Sequence, residues 1–147
     1  MSKEITIQDF IEARIEKRKS IPLIGLRGSS PEEDNKLFRE LSARKNEIQA
    51  RKNGHEYLVV GCDRIVVGVE VTEDSFIPEG MVSFIIPADD YVVLRFEERY
   101  IGEFWNAICK EENLIAYGID LGKPRYEIFT DLLQPRGITE WYFSHNK

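Results

Sequence analysis

Arg125-Tyr126-Glu127-Ile128-Phe129 and Thr139-Glu140-Trp141-Tyr142-Phe143 are two runs of β-type composition, and each sets a carboxylate among bulky rings. Side chains of a strand alternate between its two faces. Glu127 and Phe129 therefore share one face of the first run, with Tyr126 and Ile128 on the other. In the second run Glu140, Tyr142 and Ser144 face one way, and Trp141 and Phe143 the other. An unpaired carboxylate taken out of water costs on the order of several kcal/mol. Each Glu thus lies either on a solvated sheet face, with Trp141 and Phe143 packed beneath helices, or in an aromatic wall that receives a cationic or polarised ligand.

The same order of elements occurs twice. Upstream of these strands, Phe104, Ala107 and Ile108 have helical spacing and predict a helix over 101–110, followed by a long loop over 111–124. Before it, 81–86 and 91–96 are β-rich and broken by Pro87-Ala88-Asp89-Asp90. In the first half, 21–26 reads as a strand that starts as early as Arg14, with Pro22 marking an edge or a bulge. Ser30, Pro31 and Glu33 have the spacing of a capping box, and Leu37, Phe38, Leu41 and Ile48 form a stripe. This predicts a helix to about Asn53, stopped by Gly54. Two strands, 57–60 and 65–71, follow across a short connection, and Pro78-Glu79-Gly80 is a turn signal. Thr6 could cap a short helix through Phe10 and Ile11 in the ambiguous first eleven residues. The expectation is one α+β domain of two β-α-β-β modules, about 14–73 and 81–146, with pseudo-twofold symmetry and both helices on one face of an antiparallel sheet.

Several motifs resemble the gyrase-inhibitor-like (GyrI-like) effector-binding domain, the ligand-sensing half of multidrug-responsive transcription activators. They are Ile86-Pro87-Ala88-Asp89-Asp90-Tyr91-Val92-Val93, Phe104-Trp105-Asn106-Ala107-Ile108, Tyr126-Glu127-Ile128-Phe129 and Thr139-Glu140-Trp141-Tyr142. In the first half Ile21-Pro22-Leu23-Ile24-Gly25-Leu26-Arg27 and Val67-Gly68-Val69-Glu70-Val71 fit the same pattern. The resemblance covers nearly the whole chain and departs at Ser144, where the family often has Pro. It implies a groove between the modules for large, flat, cationic or aromatic molecules, with an acidic residue at its base. Glu127 matches that acid, and Glu140 with Tyr142 matches an acidic-aromatic pair.

The ligand-binding residues so implied are Glu127, Glu140, Tyr142, Phe129, Trp105, Phe104, Tyr91 and Tyr57. Phe104 and Trp105 are adjacent on a helix and diverge by about 100°, so one belongs to the core and the other to the groove entrance. Three functions follow from the resemblance. The leading one is a stand-alone binding module, without a DNA-binding domain, that senses or sequesters small molecules. The second is a hydrolase of strained electrophiles using Glu127 or Glu140 with Tyr142. The third is a protein-interaction inhibitor of the gyrase-inhibitor type, with a protein partner in the groove.

Composition narrows the classes. A net charge of −6 disfavours a nucleic-acid binder, whose phosphate contacts need clustered Lys and Arg. The one basic cluster, Arg14 to Lys19, is interrupted by Glu16 and reads as a solvated face. There is no run of roughly 20 apolar residues and no secretory signal, so a cytoplasmic location is expected. Two cysteines, Cys62 and Cys109, and two histidines, His55 and His145, lack the spacing of a disulfide framework, a nucleophilic site or a metal site. No metal and no cofactor is expected. Glu97-Glu98-Arg99 and Glu111-Glu112 read as solvated charge runs.

Overall fold

A computed structural model describes residues 7–29, 33–49, 51–61, 64–72, 76–130 and 133–145. Among the described residues eight strands form one antiparallel sheet: β1 Glu12–Arg18, β2 Ile21–Gly28, β3 Arg51–Val60, β4 Ile65–Val71, β5 Val82–Ile86, β6 Asp89–Glu97, β7 Arg125–Phe129 and β8 Ile138–Ser144. Their spatial order is β1-β6-β8-β7-β3-β4-β2-β5. Within it, β6-β8-β7 and β3-β4-β2 are the two expected modules, meeting at the β3/β7 pair. The α-helices that accompany them among the described residues are α1 Asp34–Arg44, α2 Ile101–Ile108 and α3 Glu111–Tyr117.

The sheet cannot be flat. β1 and β2 lie six strand spacings apart in the order, which is about 29 Å in a flat sheet. Only Lys19 and Ser20 join them, and that link spans at most about 11 Å. The sheet therefore curls until its ends meet. The register shows how. Arg18 faces Asp89 on the β1/β6 pair, and Ile21 faces Ile86 on the β2/β5 pair, three residues on in one strand and three back in the other. The segments 12–28 and 82–97 thus form one continuous two-stranded ribbon, bent at Lys19-Ser20 and Pro87-Ala88. Close strand approach elsewhere needs glycine: Gly25 faces Gly68, and a Cβ on Gly25 would collide with the Val67 carbonyl and the Gly68 Cα. Pro22, which has no amide to donate, sits next to the end of the β2/β5 ladder, opposite Ile85.

Curling gives the sheet two buried faces. The outer face packs under the helices through Ile24, Leu26, Val67, Val69, Leu94, Phe96, Trp141 and Phe143, with Leu37 and Leu41 from α1 and Phe104 and Ile108 from α2. The inner face closes on itself around Tyr57, Tyr91, Tyr126, Tyr142, Ile21, Leu23, Val93 and Ile128. The helices lie on one face, as expected, and the second face is covered by the curled sheet itself.

Four local expectations are also revised. The first helix stops at Arg44, not near Asn53. A 3-10 turn at Lys45–Glu47 brings Ile48 into the core, and Arg51 is already paired with Val71. Pairing with β4 overrides the weak helical preference of 51–53. The supposed loop 111–124 contains α3, which ends in a left-handed Gly118 at φ 66°. There the Gly118 and Ile119 amides donate to the carbonyls of Ile115 (3.2 Å) and Leu114 (2.9 Å), closing the helix end. Arg14 and Arg18 are not simply solvated, because both reach acidic or aromatic partners of the inner face. Finally, β1 is a strand of its own and not the start of β2. The expected caps at Thr6, Ser30 and Pro31 and the reading of Cys62 lie outside the described residues, though Glu33 does reach back to the Ser29 amide at 2.9 Å.

Candidate functional site

Between α1 and α2, on the outer face and over the β3/β7 seam, lies a groove of about 800 Å³. Its floor comes from the helix-facing residues of three strands. β3 supplies Glu56, Leu58 and Val60, β7 supplies Arg125, Glu127 and Phe129, and β8 supplies Thr139 and Trp141. Asn35 and Phe38 of α1 form one wall, and Glu98, Ile101 and Trp105 form the other. Leu58 faces Glu127 across the seam, so this carboxylate sits at the centre of the floor.

Glu127 is 6% exposed, and the Thr139 hydroxyl donates to its Oε2. That bond and the surrounding rings hold an acid where water is scarce. Phe38 meets Phe129 edge-on at 5.1 Å, and Trp105 meets Trp141 edge-on at 5.1 Å. The Arg125 guanidinium lies 5.3 Å from the centre of the Trp105 ring. Lys45 Nζ stands 4.0 Å from Glu56 Oε1. The groove thus combines three carboxylates, one guanidinium and four aromatic rings.

Of the residues expected in the site, the structure brings Glu127, Phe129 and Trp105 together. The others are elsewhere. Phe104 is fully buried beneath α2, stacked on Phe96 at 4.3 Å, so the adjacent pair divides into a core Phe104 and a groove Trp105. Glu140, Tyr142, Tyr91 and Tyr57 belong to the opposite, inner face. The cause is register: Glu127 is paired with Trp141, and Tyr126 with Tyr142, so residues 140 and 142 point away from residue 127. Glu140 is instead ion-paired to Arg14 at 2.7 Å. The Tyr57 hydroxyl donates to Glu70 Oε1 at 2.8 Å, and that of Tyr91 to the Pro87 carbonyl at 2.5 Å. Arg18 lies 5.0 Å from the centre of the Tyr142 ring, which stacks on Tyr126 at 4.6 Å. Burial drives the tyrosine hydroxyls upward, that of Tyr91 to about 12 and those of Tyr57 and Tyr126 further, so all remain neutral donors at ordinary pH.

Asn35, Phe38, Glu56, Leu58, Val60, Glu98, Ile101, Arg125, Thr139 and Trp141 line the groove but were not named from the sequence. Two of them carried a signal. Alternation extended back to Arg125 would group it with Glu127, and Trp141 faces opposite Glu140. Glu98 read as part of an exposed charge run and carried none. Among the described residues no cluster of His, Cys, Asp and Glu is arranged to hold a metal ion. No described helix is long and apolar enough to cross a membrane.

A curled antiparallel sheet of two β-α-β-β modules, with a groove between their helices over a buried Glu, defines a GyrI-like effector-binding fold. Solved structures with this fold superpose over most of the chain. One is SAV2435 bound to tetraphenylphosphonium, with 13% identity and a TM-score of 0.64 over 90% of this chain and 92% of that one. Another is the EcmrR C-terminal domain, with 16% identity and a TM-score of 0.66 over 91% and 96%. A third is the integron cassette protein VCH_CASS2 from the mobile metagenome of Vibrio cholerae, with 11% identity and a TM-score of 0.58 over 92% and 97%. No curated protein matches the chain in sequence. The family model of the integron-associated effector binding protein, Cass2, matches residues 14–132, and the chain belongs to that family.

Proposed function

We propose that this protein binds hydrophobic small molecules that are cationic or aromatic in the groove between α1 and α2, with Glu127 as the counter-charge, and that it acts as a sensor or a sequestering module. One observation carries the reading: a carboxylate only 6% exposed lies at the centre of a groove walled by Phe38, Trp105, Phe129 and Trp141. A delocalised cation gives up little hydration on entering such a site. It gains ring contacts of about 0.5–2 kcal/mol each and an attraction to the acid that low polarity strengthens. The similar fold of SAV2435, solved with tetraphenylphosphonium, supports the same reading.

The hydrolytic alternative needs a tyrosine beside the groove carboxylate, and none of the six tyrosines lines the groove. Calorimetric titration with tetraphenylphosphonium tests the binding reading. Saturable binding that Glu127→Gln weakens at least tenfold is the expected result. Equal affinity in the two proteins would sink the assignment.

A further inference from the structure

We infer that the groove prefers amphoteric ligands, elongated aromatic molecules with a cation at one end and a carboxylate at the other, and that Arg125 imposes this preference. The inference rests on the proposal that the groove binds small molecules, and it adds the ligand's polarity and direction.

Charges along the floor are ordered. Going along β7, the groove residues are Arg125, Glu127 and Phe129, and facing them on β3 are Val60, Leu58 and Glu56. Arg125 faces Val60, and Glu56 is four residues away on that strand, so the guanidinium end and the Glu56 end are about 13 Å apart. Glu127 lies between them. One end is built of donors: Arg125 over the Trp105 ring, and Trp141 packed edge-on against Trp105. Trp141 is 4% exposed, and its indole Nε1–H has no acceptor among the described residues. The other end is built of acceptors and rings. Glu56 Oε2 is buried without a donor among the described residues, facing Phe129, which Phe38 meets edge-on.

A ligand that is only cationic answers half of this layout. Its charge can rest against Glu127, but Arg125 already covers the Trp105 face that an aromatic site offers to a cation. The indole N–H then keeps no acceptor, which is costly for a buried donor. A carboxylate at that end can take the guanidinium fork and accept from the indole as well, while the cation lies between Glu127 and Glu56. Arginine suits this role because its planar fork binds carboxylates in two-point fashion and stacks on a ring at the same time.

The test uses 1-methyl-4-(4-carboxystyryl)pyridinium, a linear zwitterion, and its methyl ester, a simple cation. Both are titrated by fluorescence into the full chain, into Arg125→Gln and into Arg125→Lys, with tetraphenylphosphonium as reference. Wild type should bind the zwitterion at least tenfold more tightly than the ester. Arg125→Gln should abolish or invert that preference by weakening the zwitterion, while the ester and tetraphenylphosphonium, relieved of a like charge in the groove, bind more tightly. Arg125→Lys should retain the preference in part, and it decides the matter if the Gln variant does not fold. A wild type with no preference for the zwitterion, or a preference that survives in Arg125→Gln, overturns the inference and leaves small-molecule binding standing. If neither dye nor tetraphenylphosphonium binds wild type, the binding proposal fails, and this inference with it.

Discussion

Glu127 stands directly opposite Trp141 across β7 and β8, and Thr139 donates to its carboxylate from the same face. That register separates two acids that look alike in sequence. Glu127 goes to the groove. Glu140 goes to the inner face, against Arg14.

The two glutamates should therefore respond differently to neutralisation. Glu127→Gln should weaken binding of tetraphenylphosphonium by about 1.4–2.8 kcal/mol, tenfold to hundredfold, the attraction of unit charges about 5 Å apart at intermediate polarity less some screening. Glu140→Gln should leave the affinity within about twofold and lower stability by at most about 1 kcal/mol, since its Arg14 partner is nearly half exposed. Calorimetric titration and urea denaturation read the two effects separately.

Thr139 is 1% exposed and its hydroxyl serves the buried Glu127. Thr139→Val keeps the shape and removes the donor, so the carboxylate is left short of a partner. The expected loss is about 1–3 kcal/mol in the urea unfolding free energy. Thr139→Ser, which restores the hydroxyl, should recover most of it. Equal losses in the two variants would mean that packing, and not the hydrogen bond, holds this position.

Gly25 and Gly68 face each other across closely approaching strands, and a Cβ on Gly68 would come within 2.8 Å of the Ile24 carbonyl. Backbone cannot give way as a flexible side chain can, so Gly25→Ala should cost about 3 kcal/mol or more and abolish folding of a marginal protein. Gly102, near the start of α2, has no atom within 4 Å of the added methyl. Gly102→Ala should instead stabilise by about 0.4–1 kcal/mol. Thermal melts of the pair test whether the close strand approach or helix propensity governs each site.

The inner tyrosines make an alkaline limit. Burial raises the hydroxyls of Tyr57, Tyr91, Tyr126 and Tyr142 above their ordinary value near 10. A raised folded-state value means that the unfolded chain releases these protons first. The stabilising contribution is complete below about pH 10 and is lost as pH rises toward 12 and beyond. Unfolding free energy should be level from pH 7 to 9 on this account and fall steeply above 10. Tyr126→Phe should make that fall shallower, and an unchanged slope would remove Tyr126 from the cause.

Much of the fold was legible because it is written in local patterns. The β-rich runs at 57–60, 65–71, 125–129 and 139–143 and the turn at Pro78-Glu79-Gly80 are signals that short range physics enforces. The Met81 amide closes that turn on the Pro78 carbonyl at 3.0 Å, with Gly80 at φ 81°. Alternation even sorted Glu127 from Tyr126, and Glu140 from Trp141, correctly by face. What alternation cannot supply is which face of one strand matches which face of the next. Residues 51–53 became strand only because β4 was there to pair with them.

The sequence by itself determined most of the strands, the starts of α1 and α2, their duplicated order and the placing of a carboxylate beside large rings, because propensity and periodicity act within a few residues. Tertiary structure alone decided three things: that the sheet curls into a ribbon-closed form with a tyrosine interior, that Glu98, Glu56 and Arg125 meet Glu127 in one groove, and that Glu140 and Tyr142 do not. Each depends on strand register and closure between segments far apart in the chain. A register slip of one residue would exchange the two faces, and no local pattern records it.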